Sequence, residues 1–401
     1  MNPELNKLQP YPFARLAQLK GGITPPQNRD HIPLSVGEPR HAAPHFIAQE
    51  LLAHLHGLSA YPLTKGTPAL RETIAHWLTR RYSLGDNAID AEQQVLPVNG
   101  TREALFAFAQ TVINRSTRPV VIMPNPFYQI YEGAALLAGA EPWYLNTYAE
   151  NGFLPDLNTV PDAIWRRCQL LYLCSPGNPT GAVAGLEMLQ QLIRLADEHD
   201  FIIASDECYS EIYFDEQKPP PGLLQAAAAL GRDNFRRCVV FHSLSKRSNV
   251  PGLRSGFVAG DAGIIEQFLL YRTYHGSAMP PPAQAASIKA WSDEQHVIDN
   301  RRLYQQKFSA VLEILAPVME VSQPEAGFYL WPRTESGDTD FARELYAQQN
   351  VTVLPGSYLS REAHGINPGQ NRVRMALVAP LDECIDAAKR IRNFIENKQK
   401  Q

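Results

Sequence analysis

The chain has 401 residues, which at about 150 residues per domain suggests two or three domains, or one large and one smaller unit sharing a cleft. Its 37 Lys and Arg against 41 Asp and Glu give a net charge of −4 with no offsetting basic run, which excludes a nucleic-acid footprint. With 44% hydrophobic and 19% charged residues, intrinsic disorder is excluded for most of the length.

Five scattered cysteines (Cys168, Cys174, Cys208, Cys238 and Cys384), odd in number and without a CxxC pair, argue against a disulfide framework or structural zinc and for a reducing compartment. Residues 1–13 lack the apolar core of a secretory signal. The longest apolar runs, such as 133–140 and 223–230, fall short of the ~20 residues that a bilayer span requires. A soluble, cytoplasmic protein is expected, with no membrane, nucleic-acid or metal partner.

Along the chain, runs rich in Val, Ile, Leu and Tyr at 94–98, 120–123, 170–174, 201–205 and 238–242 predict buried strands. Amphipathic stretches at 102–113, 185–199 and 264–274 predict helices, so β and α alternate as in an α/β domain with a largely parallel sheet. Prolines mark the joints, ending with the triplet Pro280 to Pro282. Beyond it, a long helical pattern over 283–315, short runs at 328–331, 351–354 and 372–377, and a last helix from Leu381 predict a smaller α+β unit. The expected division is 1–45 as an arm and part of the small unit, 46–282 as the large unit and 283–401 as the small one.

The residues that carry chemistry fall at successive strand ends, and neither a GxGxxG nor a GxxxxGK[ST] phosphate loop is present. Asn99-Gly100-Thr101-Arg102-Glu103 instead joins a strand to a helix, where free N–H groups and the positive dipole end favour an anion. An ordinary helix start with Asn99 or Thr101 as N-cap explains the same letters. Ser175-Pro176-Gly177-Asn178-Pro179-Thr180-Gly181 predicts a rigid turn that points Asn178 above the carboxyl edge of the sheet, although turn residues after a strand are also ordinary.

Asp206 closes an apolar strand, where a carboxylate is costly unless it meets a cation from a ligand or an arginine; a solvated strand end is the plainer reading. Lys246, just past the strand ending at His242, is expected to be partly desolvated and nucleophilic toward a carbonyl, its alternative being a plain surface lysine. Ser243, Ser245 and Arg254 beside it suit an aldehyde cofactor that carries a phosphate. Jointly the four pieces describe one site around a planar cationic ring.

These motifs, together with Ser35-Val36-Gly37-Glu38-Pro39, Tyr61-Pro62, Gly66, Ala69-Leu70-Arg71 and Arg372-Val373-Arg374-Met375-Ala376, resemble the class I/II aminotransferases of fold type I over nearly the full length. The resemblance implies an α/β fold with a mostly parallel seven-stranded sheet plus a smaller α+β domain. It implies pyridoxal 5′-phosphate as cofactor, an amino acid and a 2-oxo acid as substrates, and a homodimer with shared active sites.

Lys246 is implied as the residue that joins the cofactor covalently and then moves the Cα proton, and Asp206 as the partner that keeps the pyridine nitrogen protonated. Asn178 and Tyr209 are implied ligands of the ring's 3′ oxygen. Gly100, Thr101, Arg102, Ser243, Ser245 and Arg254 are implied at the phosphate. Tyr128 is implied against the ring face, where other members have tryptophan. Tyr61 is implied as a contact to the neighbouring subunit's phosphate, and Gly37, Asn178 and Arg374 as ligands of the substrate α-carboxylate. For a distal carboxylate the candidates are Arg40, Lys65, Arg102 and Arg272, with Lys65 and Arg102 foremost, and a lid is expected over 19–24 around Gly21-Gly22.

Leu8-Gln9-Pro10-Tyr11-Pro12-Phe13 and the runs 96–106 and 125–133 resemble more closely the bacterial succinyldiaminopimelate aminotransferases. That implies amino transfer between N-succinyl-LL-2,6-diaminopimelate and 2-oxoglutarate or glutamate, in lysine biosynthesis. Aminotransferases for aspartate or N-acetylornithine and carbon-sulfur β-lyases share the cofactor motifs and stay open. A transcription regulator built on the same fold is expected to carry a DNA-binding domain ahead of Ser35, where the chain leaves no room for one.

Overall fold

A strand covered on both faces needs apolar residues at both parities, and the centre of this chain supplies them. The computed structural model describes residues 1–85 and 89–400; residues 86–88 and 401, which fall in the expected large and small units, lie outside the description. After the two-residue β1 (Ile32–Pro33) come β2 (Val95–Val98), β3 (Val120–Asn125), β4 (Glu141–Asn146), β5 (Cys168–Cys174), β6 (Ile202–Asp206), β7 (Cys238–Ser243) and β8 (Gly256–Gly260). The last seven form one sheet in the order β2-β8-β7-β6-β5-β3-β4. Every neighbouring pair is parallel except those of β8, which runs antiparallel to both β2 and β7.

Side chains alternate across this sheet with period two. Val120, Ile122, Leu171, Leu173, Cys238 and Val240 meet the helices Pro68–Tyr82, Leu186–His199 and Leu223–Ala229, while Val121, Met123, Leu170, Tyr172, Val239 and Phe241 meet Thr101–Val112, Ile130–Ala138 and Ala262–His275. Two strands of this sheet are absent from the sequence reading, each with an apolar run of only three residues. β4 begins Glu-Pro, and β8 reads Gly-Phe-Val-Ala-Gly. A Cβ on Gly256 would stand 2.6 Å from the His242 carbonyl, so this glycine is what lets β8 close on β7.

The second unit holds β9 (Tyr329–Leu330), β10 (Val351–Thr352), β11 (Leu354–Pro355) and β12 (Val373–Ala376). β11, β12 and β9 form an antiparallel sheet, and β1 pairs with β10, which ties the N-terminal arm to this unit. Its core gathers Phe308, Val311, Leu345, Ile391 and Phe394 from the helices Gln295–Leu315, Asp338–Gln349 and Leu381–Gln399. The single helical pattern read over 283–315 is two helices, Pro281–Ser292 and Gln295–Leu315, because Asp293 between them is extended at φ −107 and ψ 127. The first of these buries Ala283, Ala286, Ala290 and Trp291 in the core of the large sheet, so residues 283–292 pack on the far side of the expected boundary. No helix among the described residues is long and apolar enough to cross a membrane.

Candidate active site

The carboxyl ends of β5, β6 and β7 open on a cavity of about 560 Å³, the crevice where open α/β sheets hold ligands. Ser243 at the end of β7 accepts the Ser245 N–H at 3.1 Å and so starts the short helix Leu244–Arg247, which sets Lys246 at the lip of the sheet. The Lys246 Nζ donates to the Gly37 carbonyl at 2.9 Å. Burial lowers its pKa from 10.5 to about 8, because a half-buried ammonium loses hydration that one carbonyl does not replace.

Asp206 ends β6 beside it on the cavity wall. Its Oδ2 accepts the Tyr131 hydroxyl at 2.7 Å and its Oδ1 the Cys208 N–H at 3.3 Å. Burial raises its pKa, and among the described residues no lysine or arginine pairs with it. A carboxylate so placed is short of a cation. Tyr131, which holds it, is stacked on Tyr172 at 4.7 Å and 12°.

At the other end of the cavity, Gly100 adopts φ +84 and is itself the N-cap of Thr101–Val112, in place of the expected Asn99 or Thr101. Asn99 is held another way, its N–H donating to Glu103 Oε1 at 3.0 Å. A Cβ on Gly100 would lie 2.2 Å from Arg254 Nη2, so only glycine lets this turn approach the guanidinium. Arg254 is steadied by the carbonyls of Pro251 at 2.9 Å and Asn99 at 3.3 Å. Thr101, Ser243 and Ser245 line the same cavity, and the Thr101 hydroxyl meets the Cys208 thiol at 3.1 Å.

Across the cleft, Arg374 comes from β12. It donates to Asn178 Oδ1 at 3.0 Å and to the Ser35 carbonyl at 2.8 Å, and its guanidinium lies 4.5 Å from the centre of the Tyr329 ring. Its buried Nε has no acceptor among the described residues. Tyr209 shares a 3.0 Å hydrogen bond with Tyr329. Tyr128 lines the wall, and its hydroxyl accepts from Arg102 Nε at 2.7 Å.

Thus Gly37, Thr101, Arg102, Tyr128, Asn178, Asp206, Tyr209, Ser243, Ser245, Lys246, Arg254 and Arg374 border one cavity, with the Gly100 turn behind Arg254. Other candidates lie elsewhere. Lys65 is paired with Glu92, which also takes Arg71, and it does not line the cavity. Arg40 is paired with Glu383 at 2.9 Å, and the buried Arg272 spans both oxygens of Glu103 at 2.8 and 2.7 Å. Of the four candidate distal cations, Arg102 alone stands in the cavity without a carboxylate partner among the described residues. Tyr61 is fully exposed. The expected lid segment 19–24 is away from the cavity, and Tyr11, Pro12 and Phe13 cover it instead. Tyr131, Cys174, Cys208 and Tyr329 escaped the sequence reading. Tyr131 and Cys208 had a usable signal, Tyr131 standing three residues from Tyr128 and Cys208 between Asp206 and Tyr209.

The family model described as aminotransferase class I and II matches residues 29–391. An LL-diaminopimelate aminotransferase of Dehalococcoides mccartyi is 30% identical over 401 residues, 98% of each chain. Among solved structures, an aminotransferase of Neisseria meningitidis is 52% identical with a TM-score of 0.94, over 98% of this chain and 100% of that one. A probable N-succinyldiaminopimelate aminotransferase of Thermus thermophilus is 26% identical with a TM-score of 0.82, over 96% of this chain and 100% of that one.

Enzymes of this family depend on pyridoxal 5′-phosphate, and the residues present suit it. A primary amine of lowered pKa, a buried carboxylate without a cation, and a glycine turn too tight for a Cβ beside an arginine all border one cavity. With its seven-stranded, mostly parallel sheet and a family match that spans nearly the whole sequence, the chain belongs to the class I and II aminotransferases of fold type I.

Proposed function

We propose that this aminotransferase moves an amino group between N-succinyl-LL-2,6-diaminopimelate and 2-oxoglutarate or glutamate, in lysine biosynthesis. The observation that carries the reading is that Arg102 and Arg374, neither paired with a carboxylate among the described residues, border one cavity with Lys246. A substrate with carboxylates at both ends answers both cations. An aromatic or neutral side chain leaves Arg102 facing nothing of opposite charge. The names of the Dehalococcoides and Thermus proteins share the diaminopimelate skeleton and differ in the succinyl group. Free LL-diaminopimelate is therefore the second reading, favoured by the first of these relatives.

Pyridoxal 5′-phosphate, when bound, supplies a protonated ring that accepts the electron pair left at Cα. In this reading Arg374 grips the α-carboxylate with its fork, and Asn178 holds the guanidinium in plane. The Lys246 Nζ, kept on the cavity side by the Gly37 carbonyl, takes the proton from Cα and later returns it. Asp206 presents its charge to the ring nitrogen from a carboxylate fixed by Tyr131 and the Cys208 N–H. Ser243, Ser245, Arg254, the Thr101 hydroxyl and the backbone of residues 100–102 hold the phosphate, which leaves the Arg102 side chain free for the substrate, while Tyr128 covers a ring face and Tyr209 with Asn178 reaches the ring oxygen.

The active assembly in this reading is a homodimer. Leu52, Leu55, Leu58, Tyr61 and Leu63 are exposed along one segment, an apolar run that a second copy would cover, with Tyr61 reaching the partner's phosphate site.

Purified enzyme assayed with 2-oxoglutarate is expected to prefer N-succinyl-LL-2,6-diaminopimelate to LL-diaminopimelate, aspartate, N-acetylornithine and aromatic amino acids. Arg102→Gln is expected to raise KM for the diaminopimelate substrate by about tenfold or more, the value of one charged hydrogen bond, and to leave aromatic substrates unchanged. A higher kcat/KM for any rival overturns the substrate. Release of pyruvate and ammonia in place of a new amino acid overturns the transfer.

A further inference from the structure

Three residues of the site converge on Tyr329, a buried side chain that the reading above leaves without a task. It lies on β9, whose register against β12 places Ala376 opposite Tyr329, two positions along the strand from Arg374. Its ring stacks beneath the Arg374 guanidinium at 4.5 Å. A Cβ on Gly37 would stand 2.0 Å from its hydroxyl oxygen, so Tyr329 fills the space against the same backbone that holds the Lys246 amine. Its hydroxyl lies 3.0 Å from that of Tyr209 and has no other hydrogen-bond partner among the described residues.

A phenol carries one hydrogen and two acceptor sites. If Tyr209 spent its hydrogen on Tyr329, nothing would remain for a ligand oxygen. The guanidinium over the Tyr329 ring draws electron density from it and makes its O–H the better donor of the two. We propose that Tyr329 is a positioning residue that donates to the Tyr209 oxygen and thereby commits the Tyr209 hydrogen to the ring oxygen of the bound cofactor. The donor chain Tyr329, Tyr209, ring oxygen polarises along its length and stabilises negative charge at its end. The inference rests on the reading of Lys246 and Tyr209 given under the proposed function.

The test is the pH titration of the near-visible absorbance band of the lysine-bound cofactor. Tyr329→Phe keeps the ring beneath Arg374 and removes only the hydroxyl. It is expected to move the titration midpoint up by about half a pH unit, part of the value of one neutral hydrogen bond, with KM for the amino acid within about twofold of wild type. Tyr209→Phe moves it further, and adding Tyr329→Phe to that variant moves it no more, since the first change acts only through the second residue. An unchanged midpoint in Tyr329→Phe, or an equal shift in the Tyr209→Phe background, overturns the inference while the Lys246 reading stands. A wild-type enzyme that shows no titrating band after loading with pyridoxal 5′-phosphate overturns both.

Discussion

Capture of the cofactor by the free enzyme gives the sharpest check on Lys246. Only the neutral amine attacks an aldehyde, and its pKa is about 8 where an exposed lysine has 10.5. At pH 7.5 that leaves about a quarter of the amine uncharged against roughly a thousandth for an exposed lysine, an advantage of about two hundredfold. The rate at which cofactor-free enzyme gains near-visible absorbance on mixing with pyridoxal 5′-phosphate is expected to climb tenfold per pH unit below 8 and to level above it.

The sign for stability is opposite to that of a salt-bridged lysine. The folded pKa lies below the unfolded one, so protonation opposes folding throughout the range below pH 8, and this penalty is relieved as pH rises from 8 to 10.5. Cofactor-free Lys246→Met is therefore expected to be more stable than cofactor-free wild type at pH 7, by at most about 3 kcal/mol. A capture rate that is flat between pH 6.5 and 9, or one still rising tenfold per unit at pH 10, refutes the assignment of a desolvated amine at this position.

Asp206→Asn keeps an acceptor for Tyr131 but removes the charge. The variant is expected to bind the cofactor and to lose about a hundredfold or more in kcat, measured by single-turnover absorbance, and near-wild-type turnover would show that the ring needs no anion there. Leu58→Glu on the exposed apolar run is expected to convert a dimer into monomers by light scattering, with activity lost alongside; an active wild-type monomer would remove the role given to Tyr61.

Much of the sheet was legible because its faces are both covered, which writes strands such as 120–123 and 238–242 as unbroken apolar runs. β8 was not, since the close approach of β7 demands glycines at its ends and leaves only three residues to carry a signal. The break at Asp293 was hidden inside a continuous amphipathic pattern. The residues proposed for the cofactor could be placed at one cavity because most sit at or just past a strand end, where position in the fold follows from position in the sequence. The distal cations could not. Lys65, Arg40 and Arg272 are each cancelled by a carboxylate remote from them in the chain, Glu92, Glu383 and Glu103, and no local spacing records such pairings. Tyr329 escaped for the same reason, its partners Tyr209, Arg374 and Gly37 arriving from three other segments.

The reversed strand β8 has an engineering consequence. Because it returns directly alongside β7, the connection between them is a dozen residues, 244–255, and both Lys246 and Arg254 ride on it. The covalent tether and the anion grip proposed for them therefore share a single mechanical lever, and an insertion or deletion there displaces both at once. Loops at the β4 border of the sheet line none of that cavity and carry no such double duty, so changes of loop length are best placed at that distant margin, with the 244–255 hairpin left at its native length.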